Sequence, residues 1–207
     1  MYVEQSLQRY LDDLASGNST PGGGSASAIS GAMGAALACM VSRLTIGKAN
    51  YADVEEEMVA ILQQAERLRE RFQQLVQEDI EAYGKLSAAF KLPRNTDEER
   101  AARTQAIQEQ LVEAALVPLE VVECAAELVR HCHRIAEIGN KTVLSDIATG
   151  ALLGASAGAG AAWMVRVNLQ SLKDEELVDV LGSRLGAALD SITEWNAQIP
   201  GIVGSRA

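Results

Sequence analysis

Residues 58–90 read MVAILQQAERLRERFQQLVQEDIEAYGKLSAAF, and Met58, Ile61, Leu62, Ala65, Leu68, Phe72, Leu75, Val76, Tyr83, Leu86 and Phe90 recur in them at helical spacing. That spacing lays the apolar side chains along one stripe of a 3.6-residue helix, so it predicts a long helix over residues 51–90 that faces a core. Asp79 interrupts the pattern, falling on the stripe three residues after Val76 and four before Tyr83. Burying an unpaired charge is costly. Such a carboxylate therefore belongs to a structural ion pair, sits at the stripe's edge, or lines a polar cavity where its pKa is shifted.

The same period continues on both sides. Residues 3–15 form a short amphipathic helix that stops at Ser16-Gly17-Asn18, and Thr20-Pro21-Gly22-Gly23-Gly24 breaks the chain before Ser25 opens a small-residue helix to about residue 45. Beyond Lys91-Leu92-Pro93-Arg94, Thr96 and Glu99 have the spacing of a capping box. The helix they start carries Ile107, Leu111, Ala114, Val121, Ala125, Leu128, Cys132 and Ile135 on one stripe, and Pro118 within it predicts a kink. Gly139-Asn140 closes it. A fifth helix begins between residues 142 and 145 and reaches about residue 168. A last one follows Asp174 with Leu177, Leu181, Leu185, Ala188, Ile192 and Trp195 in register, leaving residues 200–207 as a tail. Period-two alternation and Asn-Gly or Asp-Gly turns are absent, and aromatics are 4%. The expected fold is all-α, one domain over residues 1–207, a bundle of about six helices with two Gly/Ala-rich helices closely packed.

A net charge of -10 with 18 scattered Lys and Arg excludes a nucleic-acid surface, which needs clustered cations. Three cysteines without a CxxC pair fit a reducing compartment, and the acidic, amphipathic N-terminal stretch carries neither a basic leader nor an apolar signal core; the expectation is a cytoplasmic protein. Residues 26–42 and 147–165 imitate membrane spans in length, but they consist largely of Gly, Ala and Ser, so buried, closely packed helices are expected and no membrane partner. His131 and His133 are two apart on a helix, about 200° around its axis, and cannot share a ligand face, so no metal is expected.

Asp146 stands where the fifth helix begins, suited either to capping with Ser145 and favourable interaction with the helix dipole, or to accepting a hydrogen bond from a ligand. Asn168 ends that helix, as a terminator or as a ligand contact. The Gly22-Gly23-Gly24-Ser25 loop offers backbone amides before a helix, either to an anion or simply as a turn that permits tight packing. It lacks the Lys of a P-loop and the preceding strand of a dinucleotide fold.

Taken in order, the loop at residues 21–28, MVSRLTIGK at 40–48, EDIEAY at 78–83, Lys91-Leu92-Pro93, Pro118-Leu119, residues 139–146, Arg166-Val167-Asn168-Leu169 and Ser171-Leu172-Lys173-Asp174 resemble the formiminotetrahydrofolate cyclodeaminase and methenyltetrahydrofolate cyclohydrolase family over nearly the whole chain. One departure stands out, Met164, where the family pattern has an Asn. The resemblance implies a homodimer and a folate site lined by the Gly-rich loop and the two Asp-bearing helices. It implies a tetrahydrofolate one-carbon enzyme that needs no cofactor. The leading expectation is an enzyme that closes 5-formiminotetrahydrofolate to the 5,10-methenyl cation with release of ammonia; one that hydrolyses that cation to 10-formyltetrahydrofolate is the alternative reaction. A helical scaffold that has lost the site is the alternative, supported by Met164. Asp79 and Asp146 are the expected catalytic carboxylates, with Asn140, Ser145 and Asn168 orienting water or the pterin. Arg43, Lys48, Lys91 and Arg166 are candidate partners for the glutamate tail.

Overall fold

The computed structural model describes residues 2–206, and helices account for nearly all of them, with no strand among the described residues. In chain order they are α1 (Leu7–Leu14), α2 (Gly23–Arg43), α3 (Glu55–Phe90), α4 (Asp97–Ile138), α5 (Leu144–Leu169) and α6 (Glu175–Arg206), with short 3-10 turns at Tyr2–Glu4, Ala49–Val54 and Lys141–Val143. The start signals read from the sequence are in place. Glu99 N–H donates to the Thr96 hydroxyl while the Glu99 carboxylate accepts from Thr96 N–H, and Leu177 N–H donates to the Asp174 carboxylate.

α5 lies at the centre, packed on α2, α4 and α6. α2 runs antiparallel to it: Gly34 of α2 lies against Gly150 and Gly154, and Gly23 at the start of α2 lies near Met164 towards the end of α5. A methyl group on Gly34 would approach the Gly150 carbonyl oxygen to 2.7 Å, so the two backbones meet only because this position carries no side chain. The small-residue composition that made both helices look like membrane spans thus serves close packing. Both Gly23–Arg43 and Lys141–Leu169 are long and apolar enough to cross a membrane by length and composition, yet each is about half buried inside the bundle. Phe72, Met58, Leu75, Leu119, Leu128, Ile135 and Ile147 fill the core between the layers.

Two expectations are corrected. Residues 200–206 are not a loose tail but the end of α6, with Pro200 inside the helix. Ile199 is buried there, Ile202 and Val203 pack on the core, and the Arg206 guanidinium donates to the carbonyls of Ala136 and Gly139, satisfying groups at the end of α4. Tyr83 and Phe90 are on the α3 stripe by spacing but are 44% and 49% exposed, while Leu86 and Ala89 in the same turns are buried in a second cluster with Ile107, Leu111 and Ala114 of α4.

Candidate active site

A cavity of about 220 Å³ opens at the N-terminal end of α2, lined by Gly22, Gly23, Gly24, Asp79, Tyr83, Ala114, Met164, Val167 and Asn168 with Ser19, Thr20 and Ala82. Four separate helices contribute, and the Gly-rich loop is the piece that brings them together. At Gly24 an added methyl group would lie 1.9 Å from one Asp79 carboxylate oxygen, so glycine is required for the first turn of α2 to close on the acid. The loop is fixed from behind. Ser25, fully buried, donates to the Gly22 carbonyl at 2.9 Å and accepts from Gly22 N–H at 3.2 Å, and its hydroxyl meets Tyr10 Oη of α1 at 3.1 Å.

Asp79 makes no ion pair among the described residues. Burial raises its pKa from 3.8 to about 6, and a hydrogen bond from the Ser25 backbone N–H at the start of α2 opposes part of that rise. Of the alternatives left open for this residue, the structural ion pair is therefore removed, and Asp79 lines a cavity whose walls are mostly apolar. The acid sits at the pH where a small change in its surroundings converts it between proton donor and proton acceptor.

Asn168 is held by a backbone defect in a neighbouring helix. Pro118 has no N–H, so the Ala114 carbonyl four residues earlier has no helical partner, and the Asn168 amide donates to that oxygen at 2.6 Å. α4 continues through Pro118 as one helix, and the carbonyl released there becomes part of the cavity wall. Met164 closes the side towards the loop, its methyl 3.6 Å from where a side chain on Gly23 would begin.

The remaining candidates lie elsewhere in the chain. Asn140 is buried at the other end of the bundle, where its N–H donates to Thr45 Oγ1 at 2.9 Å, its amide donates to the Leu44 carbonyl at 3.0 Å, and its Oδ1 accepts from Thr142. Every polar group of that side chain is thus occupied in joining the end of α2 to the start of α5. Ser145 and Asp146 occupy the first turn of α5, and by the 1.5 Å rise per residue they are about 33 Å from Asn168 along the same helix. Asp146 is partly exposed and makes no hydrogen bond or ion pair among the described residues. Arg43 pairs with Glu66 at 2.8 Å, Lys48 and Lys91 are exposed in the turns after α2 and α3, and Arg166 stacks over the Trp163 ring at 5.1 Å. Gly22, Gly23, Gly24, Asp79 and Asn168 thus come together around the cavity with Ser25 beneath them, while the Asn140 to Asp146 group does not join them. The sequence did not single out Tyr10, and Val167 entered only as part of the Arg166-Val167-Asn168-Leu169 stretch. Tyr83 follows Asp79 by one helical turn, and that spacing was the available signal for it.

The family described as formiminotransferase-cyclodeaminase matches residues 6–186. A methenyltetrahydrofolate cyclohydrolase of Methylorubrum extorquens is 41% identical over 207 residues, spanning all of this chain and 99% of that protein. A formimidoyltransferase-cyclodeaminase of Rattus norvegicus is 30% identical over 204 residues, 99% of this chain but 38% of the longer rat protein. Among solved structures, a formiminotetrahydrofolate cyclodeaminase from Thermotoga maritima superposes with a TM-score of 0.90 at 30% identity, covering 99% of this chain and 98% of that one. The all-α bundle is the form this chain shares with the Thermotoga maritima protein. The chain belongs to the formiminotransferase-cyclodeaminase family.

Proposed function

We propose that this chain is a tetrahydrofolate one-carbon enzyme that hydrolyses the 5,10-methenyl cation to 10-formyltetrahydrofolate, working as a soluble homodimer in the cytoplasm. The observation that carries the reading is Asp79, a largely buried acid without a cationic partner at the wall of a cavity. A delocalised amidinium entering that cavity supplies the missing positive charge, and the carboxylate form stabilises it. Water adds to the methenyl carbon, and Asp79 takes the proton that this water releases, giving a neutral hydroxymethylene adduct. Asp79 then returns the proton to nitrogen-5 as the carbon to nitrogen-5 bond breaks, while the hydroxyl proton leaves to solvent and the formyl group remains on nitrogen-10. One proton is released for each cation opened. An acid titrating near 6 can both accept and donate in such a cycle at neutral pH.

Hydrolysis leads because the relative that is 41% identical from end to end carries that name. Closure of 5-formiminotetrahydrofolate to the same cation with loss of ammonia is the second reading, favoured by the superposition on the Thermotoga maritima cyclodeaminase. The scaffold alternative weakens because Met164 leaves the cavity open and Asp79 in place. Incubating the purified protein with each folate separately and following the methenyl absorbance tests all three. Accelerated loss of 5,10-methenyltetrahydrofolate supports hydrolysis, its accumulation from the formimino substrate supports cyclodeamination, and neither change above the spontaneous rate defeats the enzyme reading.

A further inference from the structure

We propose that Met164 sets the substrate preference of the Asp79 cavity, admitting the methenyl cation and disfavouring the formimino substrate because its thioether offers nothing to an N–H group. This rests on the folate reading above and deepens it, by naming the side chain that separates the two reactions weighed there.

The two substrates differ at the reacting carbon. In the methenyl cation that carbon lies in a ring between nitrogen-5 and nitrogen-10 and bears a single hydrogen, with no N–H beside it. In 5-formiminotetrahydrofolate it bears a terminal nitrogen with hydrogens of its own. Closure forms the bond from nitrogen-10 to the carbon, moves the nitrogen-10 proton to the terminal nitrogen and breaks that nitrogen's bond to carbon, so that ammonia leaves. A site suited to closure must accept hydrogen bonds from the departing nitrogen. A site suited to hydrolysis has no such group to hold.

Asp79 and Met164 meet the same turn of α2 at consecutive residues. A methyl group on Gly24 would lie 1.9 Å from an Asp79 oxygen, and one on Gly23 would lie 3.6 Å from the Met164 methyl and 3.9 Å from its sulfur. A group held against the acid therefore has the tip of the thioether as its neighbour. Around that tip the oxygens are already engaged. The Gly22 carbonyl accepts from Ala26 N–H at 3.0 Å and from the Ser25 hydroxyl at 2.9 Å, and the Gly23 carbonyl accepts from the Ser27 hydroxyl at 2.8 Å. The first turn of α2 otherwise presents N–H groups, which are donors like those of the amidine. Asn168 stands a full turn along α5 from Met164, with its amide nitrogen directed at the Ala114 carbonyl. Val167, Ala82 and Ala114 add only apolar surface, while Ser19, Thr20 and Tyr83 are exposed or half-buried and belong to the rim. An N–H turned towards Met164 is thus left without an acceptor, whereas the C–H edge of a delocalised cation packs on a polarisable thioether. Apolar pockets reject a substrate that differs by one added polar group by about 100-fold.

Met164→Gln tests this, because glutamine has a similar length and puts an amide where the thioether ends; Met164→Leu is the apolar counterpart. For wild type and both variants, kcat/KM is measured for hydrolysis by loss of methenyl absorbance and for closure of 5-formiminotetrahydrofolate by ammonia release. Wild type is expected to favour the methenyl cation. Met164→Gln is expected to raise the ratio of closure to hydrolysis by about 10–100-fold, and Met164→Leu to keep the wild-type ratio. A folded Met164→Gln protein with the wild-type ratio overturns the proposal. So does a Met164→Leu protein whose ratio moves as far as that of the glutamine variant, since volume rather than hydrogen bonding would then decide, and so does a wild type that favours the formimino substrate. Met164→Asn carries the same amide on a shorter chain and serves should Met164→Gln fail to fold. If wild type turns over neither folate, the enzyme reading falls, and calorimetric titration with two stable folates still decides the role of Met164. 5-Methyltetrahydrofolate is apolar at nitrogen-5, whereas 5-formyltetrahydrofolate carries there an oxygen to which an amide donates and a thioether cannot. Met164→Gln is expected to shift relative affinity towards the 5-formyl compound by about tenfold, and an unshifted ratio overturns the proposal.

Discussion

The carboxylate of Asp79 occupies the space that a side chain at position 24 would need: a methyl group on Gly24 would stand 1.9 Å from one of its oxygens. Gly24→Ala must displace the acid or the start of α2. It is expected to destabilise the protein by about 1–3 kcal/mol and to abolish most turnover. Gly17→Ala is the control, since a methyl there meets nothing within 4 Å and the residue does not line the cavity; its melting temperature and rate should stay close to wild type.

Asp79→Asn should slow turnover by roughly 100-fold or more without loss of stability. The sign follows from the raised pKa. The folded protein binds this proton more tightly than the unfolded chain, so the stabilisation is fully present below pH 3.8 and is lost as pH rises through about 6. At about 1.36 kcal/mol per unit, the loss is at most about 3 kcal/mol by pH 8. Asparagine has no proton to lose. Thermal melts should show the variant gaining on wild type from pH 4 to pH 8, whereas a fall of several kcal/mol at pH 8 would reveal an ion pair after all.

Turnover by the wild-type enzyme should rise with pH around a midpoint near 6, as Asp79 becomes the carboxylate that faces the cation and receives the proton from water. Rate measurements between pH 4.5 and 8, corrected for spontaneous hydrolysis, check this. A flat profile, or a midpoint near the ordinary carboxylate value, would remove Asp79 from the proton-transfer step.

Removing the Asn168 side chain leaves the Ala114 carbonyl without a donor. Asn168→Ala is expected to cost about 1–3 kcal/mol in stability, read by urea unfolding. If the cavity wall depends on that bond, KM for the folate should rise more than kcat falls.

Much of the fold was legible because helical periodicity, the Thr96 capping box and the breaks at Gly22 and Pro93 are local signals. Asp79 was legible for the same reason, as a charge out of place on an apolar stripe. The separation of Asn140, Ser145 and Asp146 from the cavity was not, since it depends on α2 and α5 running antiparallel and on the length of α5, which are facts about packing rather than pattern. Nor could spacing reveal that Asn140 spends all its hydrogen bonds on the joint between α2 and α5. The end of α6 was misread because Pro200 is an ordinary stop signal, and only the contacts of Ile199, Ile202 and Val203 with the core override it.

Pro118 sets stability against function in this chain. Almost any replacement would restore the N–H that α4 lacks, let the Ala114 carbonyl bond within its own helix, and make that helix a better one. The same repair would take the partner away from Asn168 and loosen the wall of the cavity. A screen that selects only for thermal tolerance is therefore drawn towards this proline, and the variants it enriches there would be sturdier proteins and poorer catalysts.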